Sequence, residues 1–391
     1  MPASLPEPSA EARAASAAVC ALIAGEITAA GGWISFTRYM ELALYAPGLG
    51  YYSGGSQKFG AAGDFITAPE LTPLFAHTLA VQVAQVLASS TPQILEVGAG
   101  RGSLAAQLLL ELERSNRLPE RYLILEVSGE LRARQHQTLL QVAPHLAPRV
   151  AWLDALPPSF AGLVLGNEVL DAMPVAVVEW RGPAVATILE RGVTLDERGA
   201  FTWATRPAQG ELLVAAQALA EEVPINGPYV SEINLAARAW LREWGRILER
   251  GAVLLLDYGF PRAEYYFPQR SSGTLMCHYR HHAHDDPLWW PGLNDITAHV
   301  DFTAIAQAGF DAGLEVLGYT SQGQFLINCG ITEILGRLPN DGGKLFLSQS
   351  RNVGKLISPH EMGELFKVIA LGRGLKEPLL GFARGDRLHT L

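Results

Sequence analysis

The chain has 391 residues, 49% hydrophobic and 18% charged, with a formal net charge of −9 at neutral pH. That length exceeds an ordinary domain, so it calls for one large domain with insertions, or two domains, around a sizeable core. The acidic balance argues against nucleic acid as principal partner and suits a site that handles cations. The three cysteines, Cys20, Cys277 and Cys329, lack pair spacing, which points to a reducing compartment and away from a thiolate metal centre. Residues 1–18 are rich in Ala, Pro and Ser and carry Glu7 and Glu11, which fits neither a secretory signal nor an Arg-rich presequence. A cytoplasmic, bacterial protein with no integral membrane segment is therefore expected. A helix is expected over Ala14–Ala30, then another capped at Ser35 or Thr37 and stopped by Pro47. The aromatic, glycine-rich stretch that follows holds Tyr51, Tyr52 and Phe65 and has no periodicity. It either packs on its own side chains or closes as a lid over a ligand.

After a helix over Pro73–Ala88 comes Ile94-Leu95-Glu96-Val97-Gly98-Ala99-Gly100-Arg101-Gly102, then a stretch of helical composition. An apolar run that breaks into alternating glycines before a helix reads as strand, tight turn, helix, a loop for a nucleotide-like cofactor. The spacing G-x-G-x-G departs from the dinucleotide fingerprint, and no lysine follows as a Walker loop requires. An acid before the glycines, Glu96, and another ending the next strand, Glu126, resemble S-adenosylmethionine (SAM) methyltransferases of the Rossmann-like class. The resemblance implies Gly98, Gly100 and Gly102 under the cofactor, Glu126 on the ribose and Asp154 at the adenine edge, with S-adenosyl-L-homocysteine as product. SAM carries a sulfonium and an amino group and no phosphate, which is why acids line such a loop.

Strands at 150–154 and 162–166, and a helix capped by Ser128, alternate as a parallel sheet requires. Glu96, Glu126, Asp154, Asn167 and Glu168 then share the carboxyl rim. If Asn167 caps a short helix, Glu168 and Asp171 lie at i and i+3 on one face. Two carboxylates beside a sulfonium suit a cationic acceptor, although acids in a first helical turn also merely complement the helix start.

From Val175 to Asn234 short strands and turns read as an inserted antiparallel unit, followed by a helix over 210–222. Glu232 there is either a capping acid or a third anion for a substrate. A fifth strand is expected at 252–259, and strands at 314–318 and 365–371 close the sheet. The histidines of 278–284 lie in a loop without tetrahedral ligand spacing, so no metal site is assigned. Asp295 followed four residues later by His299 is either an acid-base pair that takes the released proton or a cap with a half-buried histidine.

Taken together, Ser35-Phe36, the run from Tyr39 to Tyr45, Gly50-Tyr51-Tyr52, Gly63-Asp64-Phe65-Ile66-Thr67, the glycine loop, Gly166-Asn167-Glu168-Val169-Leu170-Asp171-Ala172-Met173-Pro174-Val175 and the run from Asp295 to Phe302 resemble the MidA-type methyltransferases. That family includes the mitochondrial complex I assembly factor that methylates arginine on a complex I subunit. Met173, and Gly129 after Ser128, depart from the pattern outside the proposed chemistry. The resemblance implies a Rossmann-like class I α/β fold with a seven-stranded, mostly parallel sheet and helices on both faces. Residues 1–72 would be an N-terminal helical and lid segment, 73–174 the first part of the SAM-binding core, 175–248 the inserted recognition unit, and 249–391 the rest of the core with the histidine-rich loop at 278–295. It further implies a protein substrate, a complex I subunit or a related protein, with Asn167, Glu168, Asp171, Asp295 and His299 as catalytic residues. Asp64, Phe65, Thr67 and Asn167 join the cofactor contacts. Paired carboxylates match a guanidinium fork and offset its charge beside a sulfonium. A SAM-binding assembly factor without catalysis, a small-molecule N- or O-methyltransferase, and a homodimer stay open.

Overall fold

The computed structural model describes residues 5–54, 67–182, 187–225, 227–339 and 343–391. The chain divides into two compact units. One comprises Ile66–Val169, Arg238–Phe260 and Phe302–Leu391 and the other Met1–Phe65, Leu170–Ala237 and Pro261–Asp301. The linear segments 1–72, 175–248 and 278–295 thus contribute most of their residues to one body, which long-range pairing creates and sequence order conceals.

The first unit is built on a mixed sheet of β1 (Gln93–Val97), β2 (Arg121–Leu125), β3 (Val150–Leu153), β4 (Phe160–Asn167), β5 (Leu248–Phe260), β6 (Glu315–Ser321) and β7 (Phe366–Arg373). Their order is β6-β7-β5-β4-β1-β2-β3. The run from β5 to β3 is parallel, and β7 is antiparallel to both its neighbours. Leu163, Val164 and Leu165 of β4 and the run Ala252–Leu256 of β5 are buried on both faces, so these strands are unbroken apolar runs without alternation. Helices supply the cover. In α2 (Ser103–Arg114), Leu104, Ala105, Leu108, Leu109 and Leu112 recur at helical spacing and are buried, and α1 (Pro73–Ser89) buries Phe75, Leu79, Val83 and Val86 in the same core. A third helix, α3 (Gly129–Val142), begins where the Ser128 hydroxyl accepts the Leu131 N–H at 3.3 Å.

The second unit pairs Ala176–Arg181 with Thr187–Leu195 and with Tyr229–Ile233, all antiparallel, while Ile34–Ser35 and Phe201–Pro207 both pair with Thr187–Leu195. A smaller sheet sets Met276–Tyr279 between His282–His284 and Asp295–Thr297, so the histidine-rich stretch is a hairpin rather than a loose loop. Ser35 is the helix cap, its hydroxyl accepting the Arg38 N–H.

Three expectations need correction here. The helix Ala10–Ala29 is long and apolar enough by length and composition to cross a membrane, contrary to the reading that no segment was. Its Ser16, Val19, Ile23 and Ile27 are buried at helical spacing, and the last three belong to a packed cluster with Phe36, Tyr39 and Met40. Glu232 is not a helix cap. It lies on strand Tyr229–Ile233, where its carboxylate accepts the Thr274 N–H and hydroxyl and the Tyr265 hydroxyl, and burial pushes its pKa up. The cap is Asn234, whose side-chain oxygen accepts the Ala237 N–H at 2.8 Å. Finally, no helix forms over 168–174, because Glu168 has a φ of 53° and the chain turns there.

Candidate active site

In the first unit the parallel strands end together. Register sets Glu96 opposite Leu165 and Val97 opposite both Gly166 and Leu125, and sets Leu125 opposite Leu153. Glu96, Gly98, Gly100, Gly102, Glu126, Asp154, Asn167 and Glu168 therefore share one rim.

The glycine loop turns sharply on left-handed glycines. Gly100 has a φ of 52°, and a side chain built there would meet nothing within 4 Å, so the space above it is open to a ligand. Gly102 has a φ of 83°, and a Cβ there would come within 3.0 Å of the Gln135 Cα, so only glycine lets α3 lie this close.

Gln135, half-way along α3, has 0% exposure and joins the rim's parts. Its amide nitrogen donates to the Gly100 carbonyl and to Glu126 Oε2, both at 3.1 Å, and its oxygen accepts the Trp152 indole N–H at 2.8 Å. Glu126 Oε1 accepts the Ser128 N–H at 2.8 Å. Burial raises the Glu126 pKa, and these donors draw it back toward the charged form. Each carboxylate oxygen keeps a second acceptor site for a ribose hydroxyl. Beside it Val127 is 78% exposed, a bare apolar side chain at the rim. Asp154 is engaged by Arg132, whose Nη2 donates to it at 2.7 Å and to the Leu153 carbonyl at 2.8 Å, while Nε donates to the Glu126 carbonyl at 2.6 Å.

Glu96 is 2% exposed, and its Oε2 accepts the Tyr122 hydroxyl at 2.7 Å. Burial pushes its carboxyl up to about 7, with the Tyr122 hydrogen bond opposing. A cation arriving at this rim would restore the ionised form.

At the end of β4, Asn167 Nδ2 donates to Glu168 Oε1 at 3.1 Å. Asn167 Oδ1 is buried and has no hydrogen-bond partner among the described residues, so an acceptor is left for a ligand's donor. Left-handed backbone at a non-glycine residue such as Glu168 costs on the order of 1 to 3 kcal/mol, and such strain collects at functional sites. These observations fit SAM: an open glycine cradle, a ribose acceptor, acids for its cationic groups, and an orphaned acceptor.

The second unit holds the other expected residues. Asp171 is buried, and its carbonyl accepts the Ala298 N–H at 3.0 Å, tying the 171 turn to the segment before His299. Asp295 Oδ1 accepts the Tyr52 hydroxyl at 2.7 Å, and Tyr52 stacks on Tyr45, whose hydroxyl donates to the Ala172 carbonyl at 2.8 Å. Burial, with the charges of Asp295 and Asp171, keeps the Tyr52 phenol protonated. Asp295 lies on a strand, so it is not a helix cap. The His299 N–H donates to the Thr274 hydroxyl at 3.1 Å. Thr67 precedes the helix Ala68–Leu71 and makes no capping hydrogen bond. Asp64 and Phe65 lie outside the described residues. In the histidine hairpin His284 Nε2 bonds Asn294 Oδ1 at 3.1 Å, and among the described residues no cluster of three His, Cys, Asp or Glu is arranged to hold a metal.

Sequence reading missed Gln135, Tyr122 and Tyr52. A glutamine inside a helix and a tyrosine inside an apolar strand carry no local sign of their partners. Tyr52 was noted only as an aromatic of the loop.

A doubly wound sheet with an open glycine turn and buried acids at its carboxyl rim is the frame of a SAM-dependent methyltransferase. Residues 75–320 match a family described as "Putative S-adenosyl-L-methionine-dependent methyltransferase", and the chain belongs to that family. A crystal structure from Burkholderia thailandensis bound to S-adenosyl-homocysteine is similar at 54% identity and a TM-score of 0.94, covering 99% of this chain and 100% of that one. Among curated relatives, the protein arginine methyltransferase NDUFAF7 homolog of Drosophila melanogaster is 27% identical over 98% of this chain and 92% of its own length. Protein arginine methyltransferase NDUFAF7 of Homo sapiens is 25% identical over 87% and 80%.

Proposed function

We propose that this enzyme methylates an arginine side chain of a protein, with a subunit of respiratory complex I or a related protein as acceptor, and that the seven-stranded sheet is its functional core. The observation that carries the reading is Glu168, held in left-handed backbone at the end of β4 beside the glycine loop. The names of the mitochondrial relatives support the choice of arginine.

Bound SAM supplies an electrophilic methyl group on a sulfonium. Gly98, Gly100 and Gly102 bring backbone N–H groups under it, Glu126 accepts from the ribose, and Val127 and Asp154 meet the adenine. Asn167 Oδ1 takes a donor from the cofactor, and the family resemblance adds Asp64, Phe65 and Thr67 to its contacts. Glu96, charged when a cation sits near, offsets the positive end. A guanidinium stays protonated at neutral pH, so bringing it to a sulfonium needs anions on its own side. Glu168 accepts its N–H groups and turns one nitrogen toward the methyl. The family resemblance adds Asp171 as a second carboxylate and Asp295 and His299 as candidate acceptors of the proton that N-methylation releases.

The test is mass spectrometry of arginine methylation in complex I subunits from a strain lacking the gene, against its parent and against the strain complemented with Glu168→Gln. Loss of a methylarginine in the deletion, restored by the wild type and not by the variant, is expected. An unchanged methylarginine pattern in the deletion sinks the reading.

A further inference from the structure

Glu168 is held by groups on β5. Its own N–H donates to the Leu256 carbonyl at 2.9 Å, and the next N–H, that of Val169, donates to Asp257 Oδ2 at 3.1 Å. Both peptide groups flanking the left-handed residue are therefore tied to β5, one by backbone and one by a side chain. Asp257 is 1% exposed, and its other oxygen accepts the Tyr258 N–H at 2.9 Å. A buried carboxyl group that accepts two backbone N–H groups acts as a fixed, directional acceptor. The same turn reaches the cofactor loop, since a Cβ on Gly98 would lie 3.2 Å from Val169 Cγ2.

The Asp257 bond is one of two described anchors of this turn, and its loss lets the backbone at Glu168 relax from the positive φ that non-glycine residues disfavour. A change of φ at Glu168 swings its side chain about the N–Cα bond, while the Leu256 bond can persist. Across β1, Gln135 and Glu126 are held by their bonds to Gly100, Trp152 and Ser128, so that part of the rim is expected to keep its form.

We propose that Asp257 is the positioning residue for Glu168: by accepting the Val169 N–H it fixes the direction of the carboxylate that receives the acceptor cation. The inference rests on the role given to Glu168 under the proposed function. Asp257 touches neither substrate nor cofactor in this account. It acts only through the turn.

The experiment is a double-mutant cycle with Glu168→Gln and Asp257→Asn, which is nearly isosteric and replaces one acceptor oxygen with a donor. Two quantities are read on the full-length protein. One is the SAM dissociation constant by calorimetry, and the other the initial rate of tritium transfer from labelled SAM, at saturation, into arginine of proteins from a strain lacking the gene. Misplacement by about 1 Å costs on the order of 100-fold in rate, so D257N is expected to lower the rate by that factor with SAM affinity kept within about threefold. On top of E168Q, D257N is expected to lower the rate by less than about threefold, since the residue it positions is already disabled. The proposal is overturned if D257N leaves the rate unchanged, or if its effect multiplies fully with that of E168Q, or if it abolishes SAM binding. Should D257N fold poorly, D257S, which removes the carboxyl group and shortens the side chain, is read in the same cycle on its folded fraction, defined by SAM-binding stoichiometry. A wild-type rate in E168Q alone removes the role of Glu168, an outcome distinct from any result with D257N.

Discussion

Two stretches of the same rim are held in opposite ways. On the β1 to β3 side, Gln135 satisfies Gly100, Glu126 and Trp152 at once, and Arg132 closes the ends of β2 and β3. On the β4 side, Asn167 keeps an acceptor without a partner among the described residues, and Glu168 stands in strained backbone. A closed polar network makes a rigid cradle that needs no further input. Strain and an open acceptor describe a surface completed by its ligand. The first stretch is thus preorganised, and the second is left for a ligand to complete.

The largest break in that contrast is expected from Glu168→Gln, which should lower the saturated methyl-transfer rate by about 1000-fold, in the range of losing one electrostatic stabiliser. Its SAM affinity should stay within about threefold, read by calorimetry. Next is Gly102→Ala. The new Cβ meets backbone of α3, so SAM affinity should drop by about 100-fold and the melting temperature should fall, since neither helix nor loop can yield without opening the cradle. Gly100→Ala sharpens the comparison. It meets no protein atom, so its stability cost should be only the left-handed strain of about 1 kcal/mol, while SAM affinity should fall about 10-fold or more because the methyl enters the ligand's space. Equal losses of stability in the two variants would refute the open cradle.

A smaller effect separates charge from shape. The folded pKa of Glu96, about 7, lies above its ordinary value of 4.5. Its contribution to stability is therefore full below about pH 4.5 and is lost as pH rises through 7, a difference of roughly 3 kcal/mol across that window. Relative to Glu96→Gln, the ligand-free wild type should lose stability between pH 5 and 7.5, measured by urea unfolding. SAM affinity should move the other way, strengthening with pH up to about 7 in the wild type and staying flat in the variant. The smallest change is expected from Tyr122→Phe, which removes the hydrogen bond that favours the charged form. The pH at which SAM affinity levels off should rise, by less than about one unit.

The donor side was largely legible in the sequence because its signals are local. An apolar run broken by Gly98, Gly100 and Gly102, with acids at successive strand ends, marks strand, turn and rim within a few residues. The approximate positions of the later strands, the Ser128 cap and Ser35 as one of two cap candidates followed from the same short-range rules, while the strand at 252–259 in fact runs over Leu248–Phe260. What escaped depends on pairing across the chain. Gln135 is a bridge only because α3 packs on the glycine turn. Glu232 looked like a cap because a helix starts three residues later, yet the strand it lies on turns its carboxylate to Thr274. The helix expected over Glu168 and Asp171 was argued from spacing alone, and the pins from β5, 88 residues away between Val169 and Asp257, override it. Asp295 lies on a strand and not at a helix cap, and its partner Tyr52 arrives from another part of the chain.

The bond from the Trp152 indole to Gln135 gives the cradle its own optical gauge. Indole emission shifts with the polarity and hydrogen bonding of its N–H, and this N–H is one amide away from Gly100 and Glu126. If a ribose draws on Glu126, as proposed, the Gln135 amide is shared differently and the indole's surroundings change with it. The difference in emission between the wild type and Trp152→Phe, recorded as SAM is added, therefore reads occupancy of the donor side without label and without an acceptor protein.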